Sequence, residues 1–195
     1  RDSVAKLMLR GKATVSRSAD LLSILKDILL SANFDNRERL KQIVLEEKAG
    51  LESALVPNGH AFVNQRLRAQ FSESGWAQDQ MSGIGYLFAL RELAADIDKR
   101  WKSVLKRLEA IREALLNRNT LICNVTLDGR NWEIFKPQLE AFLASLSVKR
   151  VKLSPFEVQL AQKKEGFTIP AQVNYVGKGA NLYDLGYEYD GSAEV

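Results

Sequence analysis

The sequence predicts an α+β fold in which helices greatly outnumber strands. Apolar residues recur at helical spacing over most of the 195 residues, as amphipathic helices require. Three regions instead alternate apolar and polar side chains with a period of two, which is typical of half-buried strands. These regions lie at residues 5–16, at residues 120–127 and from residue 167 onward. The predicted order is strand, helices, strand, helix, linker and two strands, an α+β arrangement.

The first predicted strand, residues 5–16, leads into a helix for which Ser18 is a suitable N-cap. A second helix opens with the capping-box pattern Asp35-Asn36-Arg37-Glu38. The turn Val56-Pro57-Asn58-Gly59 ends that helix. The predicted inward faces of the two helices are Leu21, Leu25, Ile28, Leu29 and Ala32, and Leu40, Ile43, Val44, Leu51 and Leu55.

Helical spacing continues over residues 61–71 and 86–94, whereas the glycine-rich residues 72–85 are predicted to be irregular. Two more helices flank the second strand, which turns at Asp128-Gly129. Their predicted inward residues are Trp101, Val104, Leu105, Leu108, Ile111 and Leu115 in one, and Phe135, Leu139, Phe142, Leu143 and Leu146 in the other.

The predicted domain organisation has three parts. Residues 1–147 form the latter part of one domain, residues 148–166 are a charged, proline-containing linker, and residues 167–195 open a second domain. A two-stranded ribbon is marginal by itself in water, and Arg1 is not an initiator methionine. We therefore expect the chain to be an internal piece of a larger protein.

Composition argues against two classes of protein. The net charge is only +4, from 28 basic and 24 acidic residues that are interspersed without a basic block, so a nucleic-acid-binding module is disfavoured. No apolar run approaches the roughly 20 residues that span a bilayer. The single cysteine, Cys123, excludes an internal disulfide framework. It is predicted to be a buried, small apolar side chain in a strand, and a reducing compartment is inferred.

Candidate chemical groups are few. His60 is the only histidine, so neither His-Glu-x-x-His nor His-x-x-Glu-His can occur, and we favour a packing or capping role for it. Glu46 and Glu47 are adjacent on a helix and therefore do not face each other. Gly177-Lys178-Gly179 lacks the phosphate-loop pattern, and a turn between two strands is favoured. No catalytic, cofactor-binding or metal-binding residue is predicted in this chain.

Three aromatic residues near the glycine-rich stretch, Trp76, Tyr86 and Phe88, have two possible roles. They could line a substrate-facing surface. Ordinary core packing is the more frequent role of such aromatics and is favoured.

Several stretches resemble one family. They are residues 39–53 (RLKQIVLEEKAGLES), the turn at residues 58–61, residues 75–90 (GWAQDQMSGIGYLFAL), the strand-turn at residues 121–130 and above all residues 169–178 (IPAQVNYVGK). Together they are similar to the presequence protease branch of the pitrilysin/insulinase-type zinc metallopeptidases. The resemblance covers most of residues 7–191 and corresponds to the non-catalytic C-terminal half, including its peptidase-associated domain.

The resemblance implies an enzyme of four related α+β domains that close as two halves around a chamber. Zinc would be bound by a His-x-x-Glu-His motif outside this chain, and with that motif missing we do not assign a metal role to Glu46 or Glu47. The implied partners are unstructured peptides and the N-terminal catalytic half, with no nucleic acid and no membrane. The expected location is the cytoplasm of a bacterium or the matrix of an organelle.

The leading functional hypothesis is a non-catalytic piece of a zinc metalloendopeptidase that degrades presequences and other short unstructured peptides. The alternative is a catalytically inactive member of the superfamily that acts as a scaffold or assembly subunit. A free-standing basic module that binds nucleic acid is a weaker third possibility, because the charges are scattered.

Overall fold

A computed structural model describes residues 6–150, 158, 160, 164–188, 190 and 191. Those residues form seven α-helices and no β-strand. The helices are α1 (Ser18–Lys26), α2 (Arg37–Ala54), α3 (Gly59–Arg68), α4 (Glu73–Ser82), α5 (Ile84–Lys99), α6 (Trp101–Leu115) and α7 (Gly129–Ala144). Short 3-10 turns lie at Val15–Arg17, Arg118–Thr120 and Tyr183–Leu185, and a wider π turn, Asp27–Ser31, follows α1. The helix-rich character of the predicted fold is confirmed.

The predicted strands are not found in the described part of the chain. Residues 6–14 have no regular structure and are exposed, with Leu7 at 68%. Residues 121–128 are irregular, and residues 167–181 run without regular secondary structure before the turn Tyr183–Leu185. Alternation decides which way side chains point, but a strand also needs a neighbour that pairs with its backbone. The described residues supply no such neighbour. The predicted strand residues 5, 189 and 192–195 lie outside them.

The predicted helices are present, with one addition. Residues 72–85, predicted to be irregular, contain α4 and the first residues of α5. The Ser72 side chain caps α4 by accepting a hydrogen bond from the Gly75 backbone N–H at 3.0 Å. Ser18, predicted to be an N-cap, is instead the first residue of α1, and its Oγ donates to Gln138 Oε1 at 2.9 Å.

The described chain divides into two compact units that are not consecutive in sequence. One unit comprises residues 38–98 together with residues from 155 onward, and the other comprises residues 4–37 and 99–154. The predicted boundaries at residues 147 and 166 stay predictions, since most of the predicted linker lies outside the described residues. In the part of the chain that the structure covers, no helix is long and apolar enough to cross a membrane.

The unit built on residues 38–98 has a helical core. Its buried apolar side chains come from α2, the end of α3 and α5: Val44, Ala69, Ile84, Leu87, Leu90 and Ile97. Of the predicted inward face of α2 only Val44 is buried, and Ile43 is 43% exposed.

In the other unit α1 packs against α7. Leu22, Phe135 and Leu139 form its buried cluster, and Val125, Leu127, Trp132, Phe142 and Leu143 pack partly buried against it. The predicted inward face of α7 is confirmed, because Leu146 is also buried. On α6 Val104 is buried as predicted, whereas Ile111 and Leu115 are exposed. Leu22 was missing from the predicted face of α1.

Candidate functional site

Helices α3 and α4 meet at a tight corner in the first unit. A Cβ atom at Gly75 would lie 2.3 Å from the Arg68 backbone oxygen, which cannot move aside. Because only glycine tolerates this approach, α4 can start beside the end of α3. The corner brings Gln78 of α4 next to the exposed side of α3.

Asp79 links α4 to the start of α5. Its side chain is fully buried, and its two carboxylate oxygens accept hydrogen bonds from the backbone N–H groups of Ile84 at 3.1 Å and Gly85 at 3.2 Å. These are N–H groups of the first turn of α5, which have no partner within the helix. Cβ atoms at Gly83 and Gly85 would lie 2.4 and 2.7 Å from the same oxygens. The glycines therefore make room for the carboxylate.

Arg66 of α3 joins this buried carboxylate to a second one. Its Nη1 donates to Asp79 Oδ2 at 2.6 Å, while Nε and Nη2 form a two-pronged contact with Glu165 at 2.7 and 2.8 Å. The hydrogen bond with Glu165 and the charge of Asp79 raise the pKa of Arg66 above its usual value, against the opposing effect of burial. The guanidinium also lies over the Phe167 ring, 5.9 Å from its centre. Arg66 thus fastens the residues after the predicted linker to α3.

The residues that follow run along α3. The Tyr175 hydroxyl donates to the Val56 backbone oxygen, and a Cβ atom at Gly59 would lie 2.2 Å from the Tyr175 ring. A Cβ atom at Gly177 would lie 2.4 Å from Val63 Cγ1, and one at Gly179 would meet Phe71 at 3.2 Å. The predicted turn at residues 177–179 is therefore wrong. These glycines are needed for close packing on a helix, and the turn occurs later, at Tyr183–Leu185.

A shallow groove of about 510 Å³ lies on the outer side of α3. It is lined by His60, Ala61, Asn64, Gln65, Arg68 and Gln78. Gln65 is already engaged, since its Nε2 donates to the Gln78 backbone oxygen at 2.8 Å and to Ser82 Oγ at 2.9 Å. His60 is exposed, and its ring centre lies 6.5 Å from that of Tyr175.

The other candidate residues are dispersed. Glu46 and Glu47 are both exposed on α2, and the Glu47 carboxylate contributes, after burial, to raising the pKa of Tyr86. Cys123 is exposed in an irregular segment. The prediction that it is buried in a strand is wrong, because no strand forms there to cover it.

The aromatic residues near the glycines also separate. Trp76 and Tyr86 are partly buried, whereas Phe88 is 47% exposed and packs on Phe167 with ring centres 6.0 Å apart. Within the described ranges, no three His, Cys, Asp or Glu side chains are grouped so that they could hold a metal ion. That this chain carries no catalytic, cofactor-binding or metal-binding residue stays a prediction.

Sequence reasoning missed the residues that organise this unit, Arg66 and Asp79. A signal for Asp79 was present, because an aspartate four and six residues before the glycines of Gly83-Ile84-Gly85 can cap a helix that starts there. No comparable signal identifies Arg66, whose partner Glu165 is 99 residues away.

The chain is similar to known proteins over nearly its full length. Residues 1–93 match the family described as associated with M16 peptidases of subfamily C. The chain is 36% identical to "Presequence protease 1, chloroplastic/mitochondrial" of Arabidopsis thaliana over 98% of its own length and 18% of that protein. It is 25% identical to "Presequence protease, mitochondrial" of Yarrowia lipolytica over 86% of its length and 17% of that protein.

A bacterial relative extends the range of the similarity. "Protein HypA" of Clostridium perfringens is 23% identical over 94% of this chain and 19% of its own length. The chain therefore spans about a fifth of the length of the curated relatives it matches. From the family match and the similarity to presequence proteases, the chain belongs to the presequence protease branch of the M16 peptidases.

Proposed function

We propose that this chain is a non-catalytic piece of a zinc metalloendopeptidase that degrades presequences and other short unstructured peptides inside a closed chamber. The observation that carries the proposal is the unbroken similarity, 36% identity over 98% of the chain, to a segment of Presequence protease 1. A protein that shares so much of one segment with a named protease is expected to share its reaction.

The described residues do not fit a zinc ion. Their single histidine, His60, lies exposed on α3, and no group of three candidate ligands surrounds it or any other described residue. We therefore propose that zinc in the larger protein is bound outside this chain, and we assign no reaction step to it here.

The proposed contribution of this chain is mechanical. Helices α3, α4 and α5 are tied together through Arg66 and Asp79, and such a rigid body suits the wall of a chamber that admits extended peptides. Its proposed partners are the catalytic half of the larger protein and the peptide substrates.

The proposed location follows from the relatives. Presequence proteases of Arabidopsis and Yarrowia carry organelle locations in their names, so we propose an organelle matrix if the source is eukaryotic and the cytoplasm if it is bacterial. Both are reducing compartments, which suits the exposed thiol of Cys123.

The test is peptide hydrolysis by the full-length protein that contains this chain. An unstructured presequence-like peptide should be cleaved, a zinc chelator should abolish cleavage, and added zinc should restore it. A tightly folded protein of similar composition serves as the control and should survive, because a closed chamber excludes it. Zinc-loaded, folded protein that leaves the peptide intact would favour the scaffold hypothesis.

A further inference from the structure

One face of α3 carries polar side chains that folding does not use. His60, Asn64 and Arg68 recur every four residues and therefore lie on one face of the helix. Among the residues that the structure describes, neither Asn64 nor Arg68 makes a side-chain hydrogen bond or ion pair. Arg66 and Gln65, on the same helix, are fully engaged with protein groups. The hydrogen-bonding capacity of this face is therefore available to a ligand.

The charge of the groove selects for an anionic group. Arg68 is the only charged side chain in the lining, and the lining contains no carboxylate. A guanidinium binds a carboxylate through two parallel hydrogen bonds. A carboxylate at Arg68 would thus meet a matched donor pair and no repulsion from the lining.

The spacing of the face suits an extended peptide. At 1.5 Å per residue, His60 and Arg68 are separated by about 12 Å along the helix, with Asn64 midway. An extended chain advances about 3.3 Å per residue, so four peptide residues cover the same length. The Asn64 amide offers a donor and an acceptor, as a peptide group requires.

We propose that His60, Asn64 and Arg68 form a subsite for the C-terminal end of an extended peptide. Arg68 binds the terminal carboxylate, Asn64 pairs with the peptide backbone about two residues earlier, and the His60 imidazole lies beside the residue before that. The peptide ligand is taken from the proposed function, on which this inference rests.

The test is a titration of the isotope-labelled 195-residue chain with two probes, acetyl-tetraalanine and its C-terminal carboxamide. We expect saturable NMR shifts at Asn64 and along α3 at millimolar acid, and at least fivefold weaker binding of the carboxamide. Arg68→Gln should remove the difference between the probes, and Arg68→Lys should leave part of it. Arg130→Gln makes the same charge change on α7 and should leave both affinities unaltered.

Equal affinity of the two probes, or unchanged binding by Arg68→Gln, would overturn the subsite. So would the absence of saturable shifts on α3. Failure of the proposed function looks different: the carboxylate-dependent binding would persist while the full-length protein left presequence peptides uncleaved. Cleavage by the full-length protein without tetrapeptide binding to α3 would remove the subsite alone.

Discussion

At the scale of single residues, Gly59 shows how close packing decides an amino acid's identity. It is buried at the first position of α3, and the Tyr175 ring occupies the space where a Cβ atom would be. The ring is held in place because its hydroxyl is bonded to the Val56 backbone oxygen. A side chain at position 59 and the present position of Tyr175 are therefore mutually exclusive.

Gly59→Ala should lower the free energy of unfolding by about 1–3 kcal/mol, as overpacking of a well-filled site does. Gly50→Ala is the matched control, because Gly50 lies within α2 with open space around its Cα. It should instead stabilise the chain by about 0.5–1 kcal/mol. Denaturant unfolding of both variants checks the prediction, and a neutral Gly59→Ala would show that the Tyr175 ring is free to move.

Tyr86 provides a prediction on pH. Burial, and secondarily the Glu47 carboxylate, disfavour its phenolate and raise its pKa above the usual value of about 10. The folded chain thus holds the phenol proton more tightly than the unfolded chain does. The resulting stabilisation is fully present below pH 10 and is lost as the pH rises through the raised pKa.

An NMR titration of labelled tyrosines should show Tyr86 ionising above pH 10, and Tyr86→Phe identifies its signal. Glu47→Gln should move the pKa of Tyr86 part of the way back, whereas Glu46→Gln, its neighbour on α2, should have a smaller effect. An equal effect of the two substitutions would argue against the specific influence of Glu47.

At the scale of elements, three parts of the first unit depend on one guanidinium. Arg66 belongs to α3, Asp79 belongs to α4 and caps α5, and Glu165 precedes the segment that runs along α3. The Arg66 side chain is 20% exposed and that of Asp79 is 0% exposed. Removing the arginine would leave a buried carboxylate without its counter-charge.

Arg66→Met should therefore destabilise the unit by about 3–5 kcal/mol, the usual cost of breaking a buried ion pair from one side. Combining it with Asp79→Asn should cost less than the sum of the two single changes, because neither charge is then left alone. Arg68→Met, half a turn further along α3 and exposed, is the control and should alter stability by no more than about 0.5 kcal/mol. Strict additivity in the cycle would contradict the coupling.

At the scale of the whole molecule, the prediction concerns metal. The purified 195-residue chain should neither bind zinc stoichiometrically nor hydrolyse a presequence-like peptide, while the full-length protein should do both. Metal analysis after dialysis and a peptide-cleavage assay measure the two properties. Chelator-sensitive hydrolysis by the 195-residue chain itself would contradict the placement of the zinc site outside it.

The helices could be predicted from the sequence because their signal is local. The apolar spacing of Phe135, Leu139 and Leu146 identified the buried face of α7 correctly. The strands failed because a strand depends on a backbone partner that periodicity does not reveal, and the alternating residues 6–14 are exposed. In the same way, the Arg66–Glu165 contact joins positions 99 residues apart, which no local pattern encodes.

The contact between residues 175–179 and α3 also limits how this chain can change in length. Tyr175, Gly177 and Gly179 meet positions 59, 63 and 67–71, because two extended residues advance about as far as one turn of helix. Inserting or deleting a single residue would turn Val176, now 93% exposed, and Lys178 toward the helix in place of the glycines. Related sequences should therefore differ in length here by two residues or by none, and an alignment gap of one would mark a homologue in which this segment has left α3.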